Sequence, residues 1–268
     1  VAVGTGALDA ATEANYNVAV GRNALGSATT GGHNTGIGND ALSSLTSASG
    51  TTAVGSLCGD AITTGVYNSA LGFSSLRYTT TGQYNTAFGT SSLMDNTTGD
   101  SNTALGYDAL RNNETADDNT AVGYYALRLN TTGTKLTAVG HQALQSNTTA
   151  NSSTACGDSA LAANTTGQNN SAFGVNALLS NTTGSHNVAV GKDSLDATTT
   201  ASNNVAVGNY SLGTNINGAN NVAFGHNALT LNTTSNNTAV GFKSLESQTT
   251  AANNTAVCYE ALKAATTG

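Results

Sequence analysis

The side chains most often used in catalysis and metal binding are few in this chain of 268 residues. Its four histidines, His33, His141, His186 and His226, are far apart in the sequence. A metal site or a general base needs partner side chains at a matched spacing. No such spacing is present here, so we expect neither a metal site nor a catalytic histidine.

Paired acidic side chains offer a second kind of chemistry, metal binding or acid-base catalysis. Asp117 and Asp118 are adjacent, and Asp193 lies close to Asp196. Neither pair belongs to the G-G-x-G-x-D pattern with which calcium-binding rolls hold their ion. We therefore interpret both pairs as solvated surface charge.

One glycine pair, Gly36 and Gly38, has the G-x-G spacing found in nucleotide-binding loops. Such a loop must follow a strand, open a helix and be followed by an acidic residue. That context is missing, so we interpret Gly36 as a variant of a position that is otherwise alanine.

A unique site is not expected because one short unit repeats through the whole chain. With the glycine after Ala-Val as the marker, successive markers lie 17 residues apart, except for one 16-residue step. The markers are Gly4, Gly21, Gly38, Gly55, Gly72, Gly89, Gly106, Gly123, Gly140, Gly157, Gly174, Gly191, Gly208, Gly225, Gly241 and Cys258. So strict a period indicates a solenoid, whose coils bury apolar side chains by stacking. We assign no catalytic, cofactor-binding or metal-binding residue, and we expect no enzyme activity and no cofactor.

The consensus of the unit is N-T-A-V-G-x-x-A-L-x-x-N-T-T-G-x-x, which runs from position −4 to position +12 around the marker at 0. It lacks the apolar spacing of a helix. We predict one strand at N-T-A-V and a second, shorter one around A-L or T-T, with glycines at 0 and +10 adopting positive φ at corners. The predicted fold class is all-β, a parallel β-solenoid of sixteen 17-residue coils forming a single repeat domain, 1–268.

The predicted strand is apolar on both faces. Position −2 is alanine in all copies but one, and position −1 is Val, Phe, Leu, Ile or Cys. Neighbouring side chains in a strand point to opposite faces, so only one of these columns can line the coil's own core. We expect Val122, Phe173 and Leu127 to fill that core. The alanine column, which contains no charge, would then face other chains or be covered by a loop of the same chain.

Two asparagine columns run through the repeat, at positions −4 and +7. Stacked asparagines can hydrogen-bond from coil to coil as an amide ladder, which is the role we favour. Six asparagines of the second column also begin an N-x-T glycosylation motif, so modification stays an alternative. These six are Asn96, Asn130, Asn147, Asn164, Asn181 and Asn232.

The three cysteines, Cys58, Cys156 and Cys258, lie in different columns and six copies apart. Six coils at about 4.8 Å each separate them by roughly 29 Å, which is far beyond disulfide reach. We interpret each as a small apolar substitute, for Ala, Val and Gly respectively.

Composition excludes several classes of function. The net charge of −7, with only 8 Lys and Arg, disfavours binding to nucleic acid or to an anionic membrane surface. No apolar run approaches the ~20 residues that a membrane helix needs, and we interpret no part of this sequence as a secretory leader. Charged residues avoid the N-T-A-V-G block and the A-L pair, as expected for a solvated face. Because the sequence starts and stops within a copy, we expect a segment of a longer protein.

The N-T-A-V-G-x-x-A-L-x-x-N-T-T-G unit, intact at 119–133 and nearly so at 170–184, resembles repeats of tail-fibre-like surface proteins of bacteria and phages. More distantly, T-T-G-x-x-N-T-A-V-G resembles the head repeats of trimeric autotransporter adhesins. The second resemblance implies a left-handed parallel β-roll assembled as a trimer. The 17-residue step is longer than that of the adhesin heads, and no chaperone, stalk or anchor is visible.

These observations favour a structural fibre or adhesive surface filament, outside the cell or on a virion. An ice- or surface-binding solenoid that uses the threonine column at +8 is the main alternative. A tailspike enzyme that cleaves glycans is less favoured, because no paired carboxylates interrupt the repeat. We further expect a rod about 75 Å long, from ~4.8 Å per coil. Its chains would associate laterally as homotrimers or filaments and contact a cell-surface or glycan receptor.

Overall fold

The computed structural model describes residues 1–266, which fold as short parallel strands joined by turns, and those residues contain no helix. The chain divides into two compact units, Val1–Lys135 and Leu136–Gly268. The predicted all-β parallel β-solenoid is confirmed.

In the first unit each strand pairs in parallel with the next one, at a register of one repeat. Ala87, for example, lies opposite Ala104. Its strands are β1 (Ala2–Val3), β2 (Val18–Val20), β3 (Thr35–Ile37), β4 (Thr52–Val54), β5 (Ser69–Leu71), β6 (Thr86–Phe88), β7 (Thr103–Leu105) and β8 (Thr120–Val122).

The second unit continues the pattern and absorbs the single 16-residue step. Its strands are β9 (Thr137–Val139), β10 (Thr154–Cys156), β11 (Ser171–Phe173), β12 (Val188–Val190), β13 (Val205–Val207), β14 (Val222–Phe224), β15 (Thr238–Val240) and β16 (Thr255–Val257). Across the short step the register holds, with Ala223 opposite Ala239. The carbonyl of Thr234 accepts the amides of Asn221 and Asn232, as the +10 carbonyl does in regular coils. The missing residue is therefore removed from a corner and not from a strand.

The prediction of a second strand around A-L or T-T is wrong for the described residues. The backbone turns there, because the residues at +2 and +4 have left-handed φ, as at Tyr125 (61°) and Leu127 (52°). A strand needs φ near −120°, so these two residues end any extended segment. The turn still bonds to the next coil, since the amide of Leu110 donates to the carbonyl of Ala126 at 2.9 Å.

The core assignment of the strand faces is also wrong. Ala121 and Leu127 are fully buried, whereas Val122 is half-buried and Phe173 is exposed on the outside. The inner position of the strand is alanine because there is no space for a larger side chain. At Gly36, an added Cβ would already lie 3.2–3.3 Å from a carbonyl oxygen and from the side chain of Leu25. Only alanine or glycine fits there, and the larger residue at −1 must point outward.

Glycine is favoured at the marker for two reasons. Gly89 has a φ of 139°, and a Cβ on it would lie 2.3 Å from the carbonyl oxygen of Gly106 in the next coil. Cys258 adopts the same conformation, with a φ of 144°. The prediction of positive φ at the +10 glycines is wrong for the part of the chain that the structure describes. There the limit is space, since a Cβ on Gly167 would lie 2.2 Å from the carbonyl oxygen of Gly184.

Candidate interaction surface

The structure does not bring the candidate chemical residues together. All four histidines are exposed. His33 stacks on Tyr16, and His141 contacts the carboxylate of Asp158 at 2.6 Å on the surface. Within residues 1–266 no group of three His, Cys, Asp or Glu side chains could hold a metal ion. Asp117 and Asp118 are exposed, as interpreted from the sequence.

The cysteines behave as small substitutes and are all free. Cys58 is buried in place of alanine, and burial raises the pKa of its thiol to about 12. Cys156 and Cys258 are exposed. Since a thiol reacts as the thiolate, Cys58 is kept unreactive at neutral pH.

Two carboxylates, Asp108 and Asp193, depart from the solvated surface expected for charged residues. Asp108 is only 2% exposed, and its Oδ2 lies 3.3 Å from Nη1 of Arg111 and 3.4 Å from Nε of Arg128. The Arg128 guanidinium also lies 4.4 Å above the ring of Tyr125. A buried charge is tolerated when it is paired, and two arginines from successive coils provide the pairing. The sequence pattern does not predict this cluster, although Arg111 and Arg128 share one column.

The interpretation of Asp193 and Asp196 as solvated surface charge is wrong for Asp193, which is only 8% exposed. The pKa values of the two acids shift in opposite directions. Burial alone would raise the pKa of Asp193, but hydrogen bonds from Asn176 and Lys192 lower it below its ordinary value. Burial, together with the nearby charge of Asp193, raises the pKa of Asp196. Of these interactions, only the bond from Asn176 joins two stacked coils, since Lys192, Asp193 and Asp196 belong to one coil.

The first asparagine column joins coils through the backbone. Oδ1 of Asn85 accepts the amide N–H of Asn102 in the next coil at 3.0 Å. Its Nδ2 donates across its own coil to the carbonyl of Gly99 at 2.9 Å. The expected stacking role is confirmed, but its partners are mostly backbone groups and not other amides.

The second asparagine column forms the amide ladder itself. Nδ2 of Asn113 donates to Oδ1 of Asn96 at 2.9 Å, and Nδ2 of Asn130 donates to Oδ1 of Asn113 at 3.0 Å. The six asparagines of the glycosylation motifs are all fully buried. A folded coil cannot carry a glycan on a side chain that is enclosed in this way.

The threonine column at +8 also connects successive coils. The hydroxyl of Thr46 donates to the carbonyl of Thr63 at 3.2 Å, and that of Thr63 donates to the carbonyl of Thr80 at 3.1 Å. The same bond recurs in the second unit, from Thr165 to Thr182. The protons of these hydroxyls are therefore engaged in bonds within the protein.

The remaining feature is the outer surface of the strands. In each three-residue strand the middle residue is buried, and the first and third residues point outward. We call these first and third residues, taken over all strands of a unit, the outer stripe. It contains no charged residue, and many of its members are exposed and apolar, among them Leu71, Phe88, Leu105, Phe173 and Phe224.

Aromatic rings line the neighbouring +1 column. In the first unit Tyr107 and Tyr124 stack with centroids 5.4 Å apart. In the second unit His226, Phe242 and Tyr259 stack at 5.5 and 5.3 Å. Exposed rings beside an uncharged stripe have the composition of a protein interaction surface.

A shallow polar depression of about 370 Å³ in the first unit is lined by residues that include Asp9, Asn23 and Asp40. Asp40 pairs there with Arg22 at 3.0 Å. The depression is thus a gap between paired surface charges, and the outer stripe is the stronger candidate.

No helix of the described residues is both long and apolar enough to cross a membrane. No protein-family model matches the chain, and no curated protein is significantly similar to it.

Proposed function

We propose that the chain is a non-enzymatic structural element of a fibre or adhesive filament, on a cell or virion surface. The observation that carries the proposal is the use of the repeated polar side chains. Asparagines at −4 and +7 and threonines at +8 all bond to the next coil. A chain whose recurrent polar groups join coil to coil is built to extend and to resist separation, as in other repeat architectures.

Self-association, as a homotrimer or a filament, is the second part of the proposal. The outer stripe supports it, because monomeric proteins rarely expose contiguous apolar patches above a few hundred Å². The Ala column cannot serve as the interface, since it lies inside the coil. A cell-surface or glycan receptor would be a further partner. The left-handed coiling, the threefold assembly and the single domain stay predictions.

Small-angle X-ray scattering combined with light scattering on the purified chain tests the proposal. We expect an elongated particle with the ~75 Å axial length of sixteen stacked coils. We also expect a mass that is a multiple of the 26.6 kDa chain. A compact globule would contradict the fibre role, and a monomer at high concentration would contradict self-association.

No observation favours the ice-binding alternative, because the +8 hydroxyls already donate to carbonyls of the next coil. Thermal hysteresis of a solution of the chain would measure that activity directly, and we expect none. For the tailspike alternative, a glycan-cleavage assay should likewise show no product.

A further inference from the structure

The outer stripe is not uniform, and its most apolar part lies in the second unit. From β3 to β11 the first outward residue of every strand is Thr or Ser. In β12, β13 and β14 both outward residues are apolar. We call these six residues the aliphatic patch: Val188, Val190, Val205, Val207, Val222 and Phe224.

The aliphatic patch is accessible and rigid. Val222 is 37% exposed and Phe224 is 56% exposed, although both lie on a paired strand. Adjacent strands lie about 4.8 Å apart and outward residues of one strand about 6.8 Å apart, so the six side chains form one contiguous surface. Because the backbone beneath it is fixed by pairing on both sides, a partner would order little on binding.

The surroundings of the patch are aromatic and locally neutral. The row of His226, Phe242 and Tyr259 lies in the adjacent column. Lys192, which lies in that column two residues after Val190, is held at 3.1 Å by the carboxylate of Asp193 and at 3.4 Å by the hydroxyl of Tyr210. The patch therefore has no free charge with which a charged partner could pair.

We infer that the aliphatic patch anchors an interface between copies of this chain, with a second copy covering it by its own patch. The inference rests on the self-association proposed above and adds where it is anchored. Because a patch that covers its own copy makes a twofold contact, the inference favours a filament over a homotrimer. A patch without charge is self-complementary, and it allows two chains of net charge −7 to approach. Coils of identical spacing also bring each strand of one patch against a strand of the other.

The area agrees with an anchor surrounded by a wider contact. Six partly exposed apolar side chains and the ring row supply on the order of several hundred Å² per copy, against the ~800 Å² of a standard interface. The Thr- or Ser-bearing strands of the second unit, β9 to β11, would supply the rest as a polar rim. Such a division, with a dry apolar centre and a wetter border, is usual at protein interfaces.

The test compares two single substitutions at equivalent positions, Val222→Glu and Thr103→Glu. Each replaces the first outward residue of a strand whose first and third residues are both exposed. Analytical ultracentrifugation of the full chain would measure the dissociation constant. We expect Val222→Glu to weaken association by ~100-fold or more, because it buries a charge at the anchor. Thr103→Glu, which lies outside the patch in the first unit, should weaken association by less than ~10-fold.

Circular dichroism and urea unfolding verify that both variants stay folded. If Val222→Glu unfolds, Phe224→Ser and its counterpart Leu105→Ser give the same comparison. Equal weakening by the two members of a pair would overturn the anchor while leaving self-association intact. A wild-type chain that is monomeric at every concentration would overturn self-association and the anchor together.

Discussion

Replacing Asn164 by Ala should destabilise the fold far more than replacing Asn181, although both are fully buried asparagines of one ladder. Nδ2 of Asn164 is the only donor to the carbonyl of Gly167 in the described part of the chain, at 3.0 Å. The first-column position of that coil is Ser153, whose hydroxyl donates elsewhere. The corresponding carbonyl of Gly184 has two donors.

Those two donors to Gly184 are Asn170 at 2.8 Å and Asn181 at 3.0 Å, so one remains in the Asn181 variant. Asn164 also donates to Asn147 and accepts from Asn181, whereas Oδ1 of Asn181 accepts nothing. An orphaned buried carbonyl costs about 1–3 kcal/mol and each lost hydrogen bond about 1 kcal/mol. We expect a loss of roughly 3–5 kcal/mol for Asn164→Ala and roughly 1–3 kcal/mol for Asn181→Ala.

Urea unfolding monitored by circular dichroism would measure the loss of stability in both variants. The cavity left by replacing Asn with Ala is the same in the two, so it does not affect the comparison. Their difference of about 2 kcal/mol isolates the unpaired carbonyl and the lost acceptor. Equal losses would refute the reasoning, because they would mean that the carbonyl of Gly167 finds water or another donor. A changed m-value would show partial unfolding and would call for hydrogen exchange in place of the two-state midpoint.

Gly89→Ala should destabilise by about 3 kcal/mol or more in the same urea assay, since it adds a clash to a φ of 139°; Ser101→Gly, at an exposed φ of 59°, should change stability by less than ~1 kcal/mol. Ala87→Val should overfill the core and destabilise by ~1–3 kcal/mol. Because the pKa of Asp196 is raised, its ionised form opposes folding at neutral pH and that penalty disappears on acidification towards pH ~4. Asp196→Asn should therefore raise the urea midpoint at neutral pH and reduce its pH dependence. The pKa of Asp193 is lowered, so its contribution to stability is present above its unfolded pKa and is lost as the pH falls further. Asp193→Asn should lower the neutral-pH midpoint, and equal shifts for the two variants would contradict these assignments.

The repeat period, the parallel stacking and the buried leucine column were all predictable, because each follows from which residues recur at which spacing. The amide ladder was predictable for the same reason, since asparagines in one column of a stacked chain must meet. Which groups each asparagine column bonds to was not predictable. Whether Asn85 bonds to a side chain or to the backbone depends on where the +10 carbonyl of its coil lies, which no pattern in the sequence reports.

The missing second strand has a different cause. Leucine is among the residues expected to avoid left-handed φ, yet Leu127 has a φ of 52° and is fully buried. The strain of such a residue is on the order of 1–2 kcal/mol, and burial of a leucine side chain recovers about 1.5–3 kcal/mol. Tertiary packing therefore sets a backbone conformation that local preference alone argues against.

The alanine column lies inside the coil and the larger column outside, which is the reverse of the prediction and changes where the protein can interact. Alternation shows that Ala and Val point in opposite directions, but it leaves both assignments possible, and bulk favoured Val inside. The space beside the strand decides otherwise, since a Cβ at Gly36 already meets Leu25 at 3.3 Å. The coil core is thus thin, closed by alanine against leucine, and the larger side chains are displaced to the surface. A charge introduced at Ala121 would unfold the coil, whereas a charge in the outer stripe would be tolerated by the fold and would act on association.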